Sequence, residues 1–231
     1  MKRAIFITGT DTGIGKTVVA GLLAKYILGR GESVITQKWI QTGSSLAGMP
    51  LDIKTHLEIM GKNKDYINDY LNDVCPYVFK FPASAHLASK IEGRVISEKK
   101  IIKSFKRLSS EFDWVIVEGT GGVLVPFSPK TLIIDLAVKL DFDVLLVIGN
   151  KLGSINHTLM SIEALKKRKL NILGIVFNNM PEENKAILED NCKIIKELSG
   201  EKVFGVLPWG KNYGQLYKNF SQFADKIIEG F

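Results

Sequence analysis

Gly15, Lys16 and Thr17 set a flexible backbone, an ammonium and a hydroxyl side by side near the start of the chain. A polyphosphate calls for those groups: backbone amides close on its oxygens, a lysine reaches the β and γ positions, and a hydroxyl takes one place on magnesium. The three residues end the stretch "TGTDTGIGKT", which reads as a Walker A loop, G-x-x-x-x-G-K-[ST], with irregular spacing. The residue five before Gly15 is Thr10, and the nearest upstream glycine, Gly9, makes the loop one residue longer. Context restores the reading. The apolar run "AIFI" precedes the loop and the helical pattern "KTVVAGLLAKYIL" follows it, so a helix N-terminus offers its amides and dipole to an anion.

Magnesium also asks for a carboxylate at the end of another strand. "WVIVEGTGG" provides Glu118 directly after an apolar run, in a place that resembles Walker B with glutamate for the commoner aspartate, and Gly119, Gly121 and Gly122 follow. In "ITQKWIQTGS" a second lysine, Lys38, stands at a strand's carboxyl end with Thr42 and Ser44 just beyond. Such a cation could neutralise an anionic acceptor and the charge that develops in phosphoryl transfer. "GMPLDIKTH" then sets Asp52 at a helix N-cap, suited to a second magnesium contact. After "DVLLVIG" comes "NKLG", which puts Gly153 where a guanine-binding N-K-x-D signature has its aspartate. Asn178 and Asn179, after "ILGIVF", offer amides to an adenine edge, so the expected nucleotide is ATP.

These residues need elements to hold them. Continuous apolar runs predict strands at Ala4 to Ile7, Ser33 to Gln37, Trp114 to Glu118, Val144 to Ile148, Ile172 to Phe177 and Val203 to Val206, as in a buried parallel sheet. Helices are predicted between them, at about 84–92, 98–109, 155–168 and 182–198, with a last amphipathic one in "YKNFSQFADKIIEGF" packed on the core. The fold class is α/β: a three-layer, doubly wound, mostly parallel sheet of the P-loop NTPase kind, in a single domain over 1–231. Residues 62–82, rich in aromatics and prolines, receive no assignment.

Composition narrows the function. The chain has 231 residues, 45% of them hydrophobic, which is ample for a core. Its apolar runs fall well short of the roughly 20 residues that cross a bilayer, and "MKRAIFITGTD" reads as a first strand rather than a secretory signal. Cys75 and Cys192 lack C-x-x-C spacing and fit a reducing cytoplasm as small apolar fillers, while His56, His86 and His157 lack metal-ligand spacing. The net charge of +7 is scattered along exposed helix faces, so no nucleic-acid or membrane partner is expected.

In "TGTDTGIGKT", "QKWIQTGS", "PASAH", "EGR" at Glu92, "VIVEGTGG", "NKLGSINH" and "PW" at Trp209 the chain resembles the dethiobiotin synthetases of biotin biosynthesis, over nearly its whole length. The resemblance implies an ATP-dependent ring closure. 7,8-Diaminopelargonate takes up carbon dioxide as a carbamate, the carbamate attacks the γ-phosphoryl of ATP, and the second amine displaces phosphate to give a cyclic urea. It implies catalytic roles for Lys16, Lys38 and Thr12, and a nucleotide site of Gly13, Ile14, Gly15, Lys16, Thr17, Val18, Asn178 and Pro208. Magnesium would be held by Thr17, Asp52 and Glu118. Substrate would meet Lys38, Thr42, Gly121 and Gly122, and, across a homodimer interface, Ser154, Ile155 and Asn156 at a helix N-terminus with free amides. Trp39 stands where the family has proline and Thr42 where it has serine, and the segment from Thr42 to Asp52 is short.

The main rival is an ATPase switch of the partitioning or division-site type. Those proteins carry an extra lysine early in the phosphate loop, where this chain has Gly9, Thr10 and Asp11. A cofactor-amidating ligase would need a glutamine-hydrolysing domain for which there is no room.

Overall fold

The structure is a computed structural model that describes residues 3–45 and 48–230. In chain order the elements are β1 (Arg3–Gly9), α1 (Lys16–Gly29), β2 (Val34–Lys38), β3 (Ile40–Gln41), α2 (Leu51–Met60), a 3₁₀ segment (Lys64–Tyr70), α3 (Leu71–Val74), β4 (Tyr77–Val78), α4 (Ala85–Ile91) and α5 (Glu98–Glu111). There follow β5 (Trp114–Glu118), β6 (Pro126–Ser128), β7 (Thr131–Leu132), α6 (Ile133–Lys139), β8 (Asp143–Asn150), α7 (Ser154–Lys167), β9 (Ile172–Asn179), α8 (Lys185–Ser199), β10 (Val203–Leu207) and α9 (Tyr213–Ile228).

Six strands form one parallel sheet in the order β10-β9-β8-β1-β5-β2. Alternate residues of each strand enter different cores: Ile5 and Ile7 join α1 and α9 on one face, while Phe6 joins α5, α6 and α7 on the other. Both faces are therefore covered, which is why the strands read as unbroken apolar runs. The chain fills one flank of β1 with β2 and β5, then crosses to build β8, β9 and β10 on the other. That switch point opens a crevice at the carboxyl end of β1.

The segment 62–82 has a structural purpose that its composition hides. Gln37 Nε2 donates to Asp73 O at 2.8 Å, and Tyr66 donates its hydroxyl to Val34 O at 2.7 Å, so this segment covers the edge of β2. β2 is accordingly buried throughout, whereas β10 at the opposite edge is mostly not. Trp39 is core. Its ring stacks on Phe6 at 5.2 Å, meets Phe142 at 6.0 Å, and donates Nε1–H to Gln37 Oε1 at 3.0 Å. Burial pushes the Cys75 thiol up to about 12, which makes it an inert filler. Among the described residues no helix is long and apolar enough to cross a membrane.

Candidate active site

The phosphate loop runs from the end of β1 into α1 and is closed by two tight approaches. Gly15 caps α1 at φ +96°, a left-handed conformation, with the Asn178 side chain pressed where a Cβ would go. Asn178 Nδ2 donates to Ile14 O at 2.9 Å, so the asparagine expected from the sequence to meet adenine braces the loop from inside. It lies within β9 rather than after it, because the strand continues to Asn179. Lys16 is buried and donates to Asp11 O at 2.5 Å.

Around the loop lies a cleft of about 600 Å³ at the carboxyl ends of β1, β2 and β5. Of the residues singled out from the sequence, Thr12, Gly13, Gly15, Lys16, Thr17, Lys38, Thr42, Asp52, Glu118 and Gly121 line it. Gly122 sits just behind, where an added Cβ would lie 3.4 Å from Thr10 O. Ile14 and Val18 belong to the loop's apolar underside, packed in the core shared by α1 and α9. Pro208 directly follows Leu207, which pairs with Asn178, but it lines a separate depression beside Asn179 and Val206 rather than the cleft.

One polar network spans the cleft floor. Lys38 Nζ lies 2.8 Å from Glu118 Oε1, 2.8 Å from Asp52 Oδ2 and 2.8 Å from Gly119 O. Thr17 Oγ1 donates to Glu118 Oε1 at 2.9 Å, and His56 Nε2 lies 3.0 Å from Glu118 Oε2. Burial alone would neutralise these groups, yet the charges facing each other outweigh it. Burial opposes the carboxylate of Glu118, but Lys38 and His56 hold it down at about 2. Burial likewise opposes the ammonium of Lys38, but Glu118 and Asp52 leave its pKa raised. For Lys16 the compensation is incomplete: burial first, then the charge on Lys38, lower it to about 8 against the partial opposition of Glu118, Asp52 and Asp11. The two ammonium groups therefore share one electrostatic environment.

The donor set suits magnesium. Among the described residues no three His, Cys, Asp or Glu side chains cluster as a closed metal site, but magnesium is commonly held by one or two carboxylates plus phosphate oxygens. Lys38 Nζ marks a point where a cation already sits against Asp52 and Glu118, and the Thr17 hydroxyl touches the same Glu118 oxygen. Asp52 is not the N-cap of α2, as the sequence suggested. The helix starts at Leu51 after Pro50, and Gln41 Oε1 accepts the Asp52 amide at 3.2 Å, so a strand residue performs the capping and frees the carboxylate for the cleft.

Sequence reading missed Gln41 and His56, each of which acts through a partner distant along the chain. It also placed Ser154 among free helix amides. The Ser154 amide instead donates to Lys151 O at 3.1 Å, and its hydroxyl joins the same turn, donating to Gly149 O and accepting from Lys151 N. Ile155 is half-buried, Asn156 is exposed, and neither reaches the cleft of its own chain. His86 pairs with Ser84 at 3.1 Å in the first turn of α4.

A family model described as an AAA domain matches residues 3–215. The ATP-dependent dethiobiotin synthetase BioD 2 of Pasteurella multocida (strain Pm70) is 40% identical over 196 residues, covering 85% of this chain and 91% of its own. The corresponding BioD of Chlorobaculum tepidum is 41% identical over 206 residues, covering 89% and 85%. Among solved structures, pNOB8 ParA bound to nonspecific DNA superposes with a TM-score of 0.61 at 15% identity, covering 100% of this chain and 98% of its own. The MinC:MinD cell division protein complex of Aquifex aeolicus gives 0.57 at 15%, covering 99% and 93%. At that identity the likeness is one of fold.

Proposed function

The chain belongs to the ATP-dependent dethiobiotin synthetase family, and from that premise we propose that it closes the ureido ring of dethiobiotin from 7,8-diaminopelargonate, carbon dioxide and ATP. One observation carries the reading. Lys16 and Lys38 come from separate strand-to-helix crossovers and line one cleft, close enough that the charge on Lys38 depresses the pKa of Lys16.

The chemistry sets an anion, the carbamate, against another anion, the triphosphate, so orientation and charge neutralisation are what a protein can add. Lys16, with the loop amides from Gly13 to Val18, holds the β and γ oxygens. Lys38 faces the carbamate, with Thr12, Thr42 and the backbone at Gly121 and Gly122 completing the cradle. The carbamate oxygen attacks the γ-phosphorus and ADP leaves. The second amine then attacks the carbamoyl carbon of the mixed anhydride, expelling phosphate and closing the ring. Magnesium, held by Thr17, Asp52 and Glu118, would draw charge from the phosphate oxygens. Asn178 and Pro208 border the base.

The substrate's far carboxylate is assigned to the first turn of α7 from a partner subunit, where the amides of Ile155 and Asn156 stand at a helix N-terminus. Leu152 and Met160, 75% and 59% exposed on either side of that turn, supply apolar surface suited to a homodimer contact. The two free thiols accord with a cytoplasmic enzyme.

Phosphate release from ATP, followed with diamine and bicarbonate and then with each omitted, tests the assignment. Release that requires both is expected. Hydrolysis indifferent to the diamine would overturn it in favour of an ATPase switch.

A further inference from the structure

Glu118 has two carboxylate oxygens, and the chemistry above occupies only one. Oε1 receives Thr17 and Lys38, while Oε2 meets His56 Nε2 at 3.0 Å. His56 is wholly buried, four residues after Asp52 on α2, so one helix face delivers both side chains to the cleft floor. Because the partner is an ionised carboxylate, Nε2 carries the proton and donates. The other ring nitrogen, Nδ1, is buried and has no hydrogen-bond partner among the described residues.

That unpartnered nitrogen argues against packing as the reason for a histidine here. A leucine would fill the space without leaving a polar atom dry, and buried polar atoms are ordinarily satisfied. The imidazole is tolerated for what Nε2 does. A carboxylate held at a single oxygen can rotate and present either oxygen or both, whereas magnesium demands near-octahedral, fixed ligand directions. We propose that His56 is a positioning residue for the magnesium-binding carboxylate: by engaging Oε2 it fixes the rotation of Glu118 and leaves Oε1, beside the Thr17 hydroxyl, to face the metal. The inference rests on the reading of Glu118 as a magnesium ligand. Residues one step removed from a metal generally act in this way, and their loss costs about 10- to 100-fold in metal affinity.

The test is a titration of manganese(II), read by its paramagnetic resonance signal, into the full chain with ADP, alongside thermal melting. His56→Leu is expected to weaken manganese binding about tenfold while still folding, with a lowered melting temperature because the buried Oε2 loses its donor. His56→Gln, whose side-chain amide can replace the Nε2–H donor, is expected to recover most of the affinity. Should the leucine variant fail to fold, His56→Asn, too short to reach Oε2, is compared with His56→Gln for the same contrast. Glu118→Gln serves as the control for the underlying reading. If Glu118→Gln loses manganese while His56→Leu binds it as tightly as wild type, or if the glutamine and asparagine variants bind alike, His56 only packs and the proposal is overturned. If Glu118→Gln itself retains wild-type affinity, Glu118 is no ligand and both readings fall.

Discussion

The ammonium of Lys16 occupies the cleft under electrostatic stress. Burial and the neighbouring charge on Lys38 bring its pKa from 10.5 to about 8, and the acids Glu118, Asp52 and Asp11 offset only part of this. The sign follows directly: the folded protein binds this proton less tightly than the unfolded chain, so the lysine disfavours folding below pH 8, and the penalty fades as pH rises from there towards 10.5. A bound triphosphate favours the charged form and restores the proton. ATP binding is therefore expected to take up a proton at about pH 9 and almost none at about pH 7, read by calorimetry in buffers of differing ionisation enthalpy. Heats independent of buffer at the higher pH would contradict this. Lys38 and Glu118 were legible in the sequence because they end apolar strands, and Lys16 and Thr17 because they end a glycine-rich loop that leaves one, where open α/β sheets gather ligands. His56 was not legible. Its partner lies 62 positions away, and only the fold, which sets α2 beside the end of β5, reveals the pairing.

At the scale of elements, β3 and α2 explain how a short connection still delivers Asp52. Gln41, on β3, accepts the Asp52 amide and donates its own amide to Thr42 O, so one side chain ties the cleft's Thr42 to the start of α2. Gln41→Ala is expected to cost about 1 kcal/mol, the scale of a lost cap, seen as a lower urea midpoint with unchanged slope. The magnesium concentration needed for half-maximal activity should rise with it. An unchanged midpoint and magnesium requirement would show that α2 holds Asp52 without help. The six strands of the sheet could be read as apolar runs because both their faces are buried. The segment 62–82 could not, since its 3₁₀ turn and α3 are shaped by the edge of β2 that they cover and β4 by its pairing with β3. The short β6–β7 hairpin and α6 also escaped notice, being too brief to show a period.

For the molecule as a whole, the sheet unites two lysines from different crossovers, while the proposed carboxylate site must come from a second copy. Asn156→Ala is accordingly expected to raise the apparent KM for the diamine and leave kcat nearly unchanged, since its contact is remote from phosphoryl transfer. A fall in kcat alone would contradict the interface reading. The fold at this scale was legible, because a strand, a phosphate loop and a helix in succession admit few topologies. The proposed pairing of chains rests on family resemblance alone, as no periodicity in a single chain encodes a partner's position. The central claim is that Lys16 and Lys38 together overcome the repulsion between carbamate and triphosphate. Single-turnover phosphate release by Lys38→Ala, at saturating ATP, diamine and bicarbonate, tests it most directly. The rate is predicted to fall by about two to three orders of magnitude, the scale of losing a preorganised transition-state donor. A rate equal to wild type would contradict the account.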